Sequence, residues 1–450
     1  MRAKILDLAI RGKLTDQRQE DGNARDLLKE IQAEKERLIK EKKIKKEKPL
    51  PEITEEEKPF DIPENWEWVR LGEIIELQSG QDFPKSKYSD TDKEGIPYIT
   101  GASCFTKNGV LENRWTRFPK CIATKGDILL VCKGSGYGKI TVCNLQEVHI
   151  ARQIMAIKRN EHLSLSYIES FLMARIKLIK ENGQGLIPGI SRDIVLNLLF
   201  PLPPLAEQQR IADKVSALFA QLDVIDKAYE EYQELQQAMK AKLLELAIQG
   251  KLTDQRKEDG DARDLFQDIQ EEKQRLIAEK KIKKEKPLPE IEADEIPFEI
   301  PENWMWVRIG DIFTLQSGKS IKANEISVKQ DDEYRYPCFG GNGIRGYVKA
   351  FNREGDYPII GRQGALCGNI NFSSGKFYAT EHAVVTDGYS KVNAYWAVIF
   401  LKALNLNQYA TATAQPGLSV TKINTVLIPL PPLAEQQRIV VKLDELLLLL

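Results

Sequence analysis

PPLAEQQRIADKVSALFAQLDVIDKAYEEYQELQQAMKAKLLELAIQGK (Pro203–Lys251) reads as one long helix. Pro203 and Pro204 bar a helix before them, and Glu207 falls in the first turn, where the helix dipole favours an anion. Apolar residues recur at Ile211, Val215, Leu218, Leu222, Ile225, Tyr229 and Tyr232, and after one slip at Leu235, Met239, Leu243 and Leu246. Alternating steps of four and three give a period of about 3.5, the mark of a coiled-coil seam. At ~1.5 Å per residue the rod would be roughly 65 Å long. Such a seam requires a second helix.

That helix is found through an internal repeat. LAIRGKLTDQR (Leu8–Arg18) returns as LAIQGKLTDQR (Leu246–Arg256), and KKIKKEKPLPEI (Lys42–Ile53) returns at Lys280–Ile291. IPENWEWVRLGEI (Ile62–Ile74) returns as IPENWMWVRIGDI (Ile300–Ile312), with LQSG following at Leu77 and Leu315. The copies then diverge for about a hundred residues. They reconverge at PGIS (Pro188) and PGLS (Pro416), then at LPPLAEQQRI (Leu202 and Leu430). This is a duplicated domain-plus-helix, not a solenoid. Nearly identical helices imply one job done twice; dissimilar blocks imply one type of job on two targets.

Met1 corresponds to Met239, midway along the central helix, and Leu450 corresponds to Leu222. The final helix (Leu433–Leu450, with Ile439, Leu443, Leu446 and Leu450) and the segment Met1–Gly12, carrying Ile5 and Leu8, are therefore expected to supply the partner jointly. This would close a pseudo-twofold ring, lacking only the counterpart of residues 223–238. Second helical patterns run over Ala24–Lys46 and Ala262–Lys284, laced with Glu/Lys pairs, into a proline linker. The divergent blocks read as short strands with Gly turns (Ile128, Lys139, Pro358) and helical patches at Ser166–Lys180 and Ala394–Leu404, an α+β pattern.

At 450 residues the chain exceeds one core, so two or three domains are expected. A net charge of −1 advertises no global basicity, and any nucleic-acid surface must be local. Cys104, Cys121, Cys132, Cys143, Cys338 and Cys367 form no CxxC pair, which suggests a reduced cytoplasmic protein without a zinc site. No apolar run is long enough to span a membrane.

Catalytic motifs are missing. Gly134-Ser-Gly-Tyr-Gly-Lys139 fails as a Walker loop, because Lys133 stands where Gly is needed and Ile140 where Ser or Thr is needed. It reads as a glycine-rich hairpin turn. No GxSxG, HExxH or paired-carboxylate spacing occurs, and His149 and His382 are isolated and read as structural, with a DNA-facing role as the alternative. Trp66, Trp68, Trp304 and Trp306, at duplicated positions, read as packing.

Two divergent domains, each led in by IPENWxWVRxGxI, closed by LPPLAEQQRI and joined by duplicated helices, resemble the DNA specificity (S) subunit of type I restriction–modification systems. The resemblance spans essentially the whole chain, including Ala9–Leu14, Ala247–Leu252 and the KIKKEKPLP linkers. It implies an α+β fold with two target recognition domains separated by long antiparallel coiled-coil helices in a pseudo-twofold duplicated architecture. The implied divisions are 1–50 (helical), 51–202 (recognition domain 1), 203–286 (central helical region), 287–430 (recognition domain 2) and 431–450 (C-terminal helix). Each domain would read half of a split double-stranded DNA site, with the paired helices as a ruler. Two methyltransferase (M) subunits would dock on the helical parts, bind S-adenosylmethionine and methylate an adenine in each half. Restriction (R) subunits, if present, would bring ATP and Mg. The S subunit itself would be non-catalytic, hold no cofactor or metal and touch no membrane. The short last helix leaves open a truncated or recombinable silent allele, and a coiled-coil scaffold without DNA contact is the alternative from another class.

Direct readout requires Arg, Lys, Asn or Gln at base edges, with cations on phosphates. Polar, turn-rich candidates in the first block are Lys85, Lys87, Tyr88, Lys107, Asn108, Arg114, Lys133, Tyr137 and Lys139. In the second they are Lys319, Lys322, Arg335, Asn342, Arg345, Arg362 and Gln363. Lys133–Gly136 and Gly361–Gly364 precede strand-like runs in comparable places and are expected to be equivalent DNA-facing loops. The net basic linkers Lys40–Lys48 and Lys280–Lys286 read as solvated helix ends, with phosphate contact as the alternative. Glu207, Gln208, Arg210, Glu435, Gln436 and Arg438, in the two LPPLAEQQRI elements, are the candidate partner-docking residues.

Overall fold

The computed structural model describes residues 1–134, 136–182, 189–364, 366–389, 391–411 and 416–450. The chain divides into two compact units, Met1–Ala228 and Tyr229–Leu450. Each unit draws together a terminal helix, a recognition block and part of the central helix.

In the first unit, strand Glu67–Arg70 of the IPENWEWVR motif pairs antiparallel with Leu199–Leu202, setting Trp68 opposite Pro201. The beginning and end of the divergent block are thus joined at its base. Between them lie two four-stranded sheets. One runs Leu77–Ser79, Ile154–Ile157, Ile128–Val131, Ile140–Val142 and is wholly antiparallel. The other runs Trp115–Thr116, Ile96–Ile99, Glu147–Ile150, Glu147 pairing onward with Thr124 of Ile122–Thr124, and its central pair is parallel. Ile128–Val131 is an unbroken apolar run because both faces are covered. Ile128 and Leu130 join a core with Tyr167 and Phe171 of helix Leu165–Asn182, while Leu129 joins Ile99, Val148 and Ile150 between the sheets.

The second unit repeats this plan with different residues. Met305–Arg308 pairs with Leu427–Leu430. An antiparallel sheet runs Thr314–Ser317, Ala383–Asp387, Tyr357–Gly361, Ile370–Ser373. A mixed one runs Gly343–Val348, Tyr336–Gly340, Lys376–Ala379, Arg353–Glu354. Helix Ala394–Ala403 takes the place of the longer helix of the first unit.

The central helix spans Leu205–Ile248 without a break. In the first unit, helix Arg2–Ile10 runs antiparallel to it. Arg2 pairs with Asp223 and Asp226 (2.6 and 2.7 Å), and Ile5 and Leu6 are buried in one core with Ile211, Val215 and Leu222. In the second unit, helix Leu433–Leu447 does the same for the other end. Ile439 and Leu443 bury with Ala247 and Ile248, and Gln236 donates to the Leu450 carbonyl. The seam is not covered along its whole length, however. Ile225, Tyr229, Tyr232, Leu235 and Met239 are 44–62% exposed.

The second helices are also shorter than their pattern, ending at Lys40 and Ala278. Asn23 and Asp261 cap them by accepting the Arg25 and Arg263 amides. Lys42 and Lys280 then turn left-handed (φ 58° and 56°), and the Lys43 and Lys281 amides close on Leu38 and Leu276. The lysine run beyond has no apolar stripe to bury, so packing does not extend the helix. Among the described residues no helix is long and apolar enough to cross a membrane.

Candidate nucleic-acid interface

Hairpins 132–139 and 362–369 occupy the same place in the two antiparallel sheets. Lys133 bridges to Gly189 and Gln363 to Gly417. The Cys132 amide donates to Gln153 O (2.7 Å) and the Arg362 amide to His382 O (3.0 Å). Gly134 and Gly364 share φ near +89°, as Gly138 and Gly368 share φ near +86° (88° and 90°; 83° and 89°). These left-handed positions require glycine. Ser135 and Pro188, both within sequence motifs, lie outside the described residues.

Lys133 and Lys139 are exposed on the first hairpin, and Tyr137 is half-buried beneath the Lys180 ammonium (5.3 Å). Lys85, Lys87, Tyr88 and Arg114 form a separate group. Lys87 lies over Phe118 (5.7 Å), and Arg114 lies over Tyr88 (5.2 Å) while paired to Asp90 (2.7 Å). Lys107 and Asn108 stand apart on the hairpin Phe105–Val110.

In the second unit Lys319, Asn342, Arg362 and Gln363 come together. The Lys319 amide bonds Ala379 O, next to the turn that carries His382. A Cβ on Gly341 would meet Gln363 O at 2.7 Å and His382 O at 3.5 Å. Arg362 Nη1 donates to Ser317 Oγ (3.1 Å). Arg345 lies over Gly340, and Lys322 is exposed before the turn Ala323–Glu325. Arg335 is held by Asp332 O at the opposite end of strand Tyr336–Gly340, away from Asn342. Sequence reasoning missed the turn 151–153 and read His382 mainly as structural, because only strand register brings both turns beside the hairpins.

Four of the six proposed docking residues require correction, while Arg210 and Arg438 keep partly exposed side chains. Glu207, Gln208, Glu435 and Gln436 have no exposed surface. Glu207 accepts the Trp66 indole N–H (2.8 Å), Gln17 Nε2 (2.6 Å) and Thr15 Oγ1 (3.1 Å). Burial pushes its carboxyl up, against the opposing effect of these bonds. Glu435 accepts Trp304 (2.7 Å), Gln255 (2.7 Å) and Thr253 (2.9 Å). Arg210 pairs with Asp21, and Arg438 with Asp259. Gln208 accepts the Ser164 amide, and Gln436 the Asn393 amide. These residues fasten PENW, GKLTDQR and LPPLAEQQRI together within each unit. That internal clamp is why the three motifs are duplicated as a set.

His149 has no exposed surface. Its Nδ1 accepts the Lys120 and Cys121 amides (3.3 and 3.2 Å), and its Nε2 donates to Gln81 O (2.8 Å). Phe83 stacks on the ring at 4.2 Å. Burial lowers its pKa. The net basic linkers are exposed.

Residues 63–234 and 301–449 match the type I restriction modification DNA specificity domain. The chain belongs to that family. It is 30% identical to the type I restriction enzyme EcoAI specificity subunit of Escherichia coli, over 99% of this chain and 88% of that protein. The EcoEI specificity subunit of Escherichia coli is 32% identical over 69% of this chain and 61% of its own length. The fold also matches a chain from a structure entitled "Structural basis underlying complex assembly and conformational transition of the type I R-M system" (TM-score 0.57, 21% identity, 86% of this chain and 91% of that one). The HsdS subunit from Thermoanaerobacter tengcongensis is similar as well (TM-score 0.50, 20% identity, 86% and 90% covered). The protein is a type I specificity subunit with a duplicated α+β architecture.

Proposed function

We propose that this specificity subunit reads a split duplex DNA site, one half with each recognition domain, and scaffolds two methyltransferase subunits. The observation that carries the reading is one backbone plan built twice with different exposed side chains, each copy fastened to its helices by the same buried clamp. In this reading the methyltransferase subunits bind S-adenosylmethionine and methylate an adenine in each half, and restriction subunits join with ATP and Mg. The subunit itself performs no catalysis and works in the cytoplasm.

With Glu207, Gln208, Glu435 and Gln436 buried, the exposed faces of the helices, with the partly exposed Arg210 and Arg438, are the surface offered to partners. The test is adenine-methylation mapping of genomic DNA in cells expressing this chain with its cognate methyltransferase subunit. The expected result is a split motif, one half of which changes when residues 60–200 are exchanged. A soluble complex that methylates no split motif sinks the proposal.

A further inference from the structure

The two hairpins belong to a larger correspondence at one end of each recognition domain. Gln81 and Lys319 begin the segment after the first strand of the antiparallel sheet, their amides bonded to Ile150 O and Ala379 O. Ala102 and Asn342 follow Gly101 and Gly341 at the end of the parallel-paired strand. Gln153 and His382 occupy the turn between sheets, where each carbonyl receives the hairpin amide of residue 132 or 362. In the first domain the Gln153 carboxamide lies between the two neighbouring glycines, its Oε1 3.0 Å from a Cβ placed on Gly101 and 3.5 Å from one on Gly134. Among the described residues no atom lies within 4 Å of a Cβ placed on Gly364.

We infer that base identity is read at four equivalent positions: Gln81, Ala102, Lys133 and Gln153 in the first domain, and Lys319, Asn342, Gln363 and His382 in the second. The inference rests on the proposed reading of a split DNA site. Backbone bonds fix the frame identically, while every side chain on it differs in donor and acceptor content. Lysine suits the O6/N7 edge of guanine, and Asn or Gln the N6/N7 edge of adenine, so exchanging them on a common frame changes the base preferred.

Arg114, Arg117 and Arg152 are neutralised by Asp90, Asp92 and Asp82. Lys133 and Lys319 have no ion-pair partner among the described residues. In the second domain Arg362 Nε, Glu381 Oε2 and His382 Nδ1 are buried without hydrogen-bond partners among those residues, while His382 Nε2 lies 3.4 Å from Glu381 Oε1.

The experiment uses the full chain with its methyltransferase subunit, selecting from a randomised duplex library, for wild type, Lys133→Ala/Gln153→Ala and Gln363→Ala/His382→Ala. The exchange Lys133→Gln gives an independent reading should either alanine pair lower the melting temperature. The first pair is expected to relax preference about tenfold at one or two positions of one half-site only, and the second pair in the other half only. A wild-type split site that every variant selects unchanged overturns this inference and leaves the specificity reading intact. Uniform weakening for all sequences, with a shallower salt dependence, assigns phosphate contact and overturns base readout. A wild type that selects no split site overturns both.

Discussion

The carboxylate of Glu207 accepts the indole N–H of Trp66 at 2.8 Å across 141 residues of sequence, and Glu435 repeats the bond to Trp304 at 2.7 Å. Each bond ties the lead-in of a recognition block to the helix that leaves it. Trp66→Phe keeps the apolar bulk but leaves one oxygen of a buried carboxylate short of a donor. The expected cost is about 1–3 kcal/mol, seen as a melting temperature lower by several degrees. An unchanged melting curve for both Trp66→Phe and Trp304→Phe would show that the clamp contributes nothing to stability.

Arg70 and Arg308 hold the proline linkers. Arg70 donates to Pro51 O, Glu52 O and Asn197 O and pairs with Glu57, and Arg308 does the same with Pro289, Glu290, Thr425 and Glu295. Lysine cannot reproduce that fork of donors. Arg70→Lys is expected to cost about 2–3 kcal/mol and to speed tryptic cleavage between Lys45 and Lys48. Equal cleavage rates in variant and wild type would count against the linker being pinned by this side chain.

His149 makes the first recognition domain sensitive to acid. Its folded pKa lies below the ordinary value near 6.5 because burial disfavours the charged ring. The unfolded chain therefore takes up the proton first as pH falls. Stability is full above about pH 6.5 and declines as the pH drops toward the depressed folded value. A second proton on Nδ1 would also face the Lys120 and Cys121 amides donor to donor. Urea melts between pH 7.5 and 5 should show this decline, weakened in His149→Asn; parallel curves for the two proteins would exclude it.

The seam of the central helix should divide under mutation. Leu222 and Ile439 are buried, and alanine at either is expected to cost about 2–5 kcal/mol. Tyr229→Gln and Leu235→Gln change exposed positions of the same periodic pattern and should cost no more than about 0.5 kcal/mol in the isolated chain. Chemical denaturation of the four variants gives the comparison. A large loss at Leu235 would mean that the middle of the seam is covered.

The hydrophobic period from Ile211 to Leu246 and the duplicated motifs were sufficient, without coordinates, to place a long helix and two divergent α+β blocks. These are local or repeated signals: helical periodicity survives in any window, and a repeat is read by matching the chain to itself. The helix ends at Lys40 and Ala278 were misjudged because charge pattern continues where packing stops.

Tertiary structure alone decided what Glu207 and Arg210 do. An anion in the first turn of a helix has the same sequence signature whether it faces a partner or an indole 141 residues away. It also decided that Gln153 and His382 sit beside the hairpins, since strand register across two sheets places them there and leaves no mark in their own neighbourhood of sequence. Periodicity determines an element; only the closing of distant elements on one another determines which side chains remain to meet another molecule.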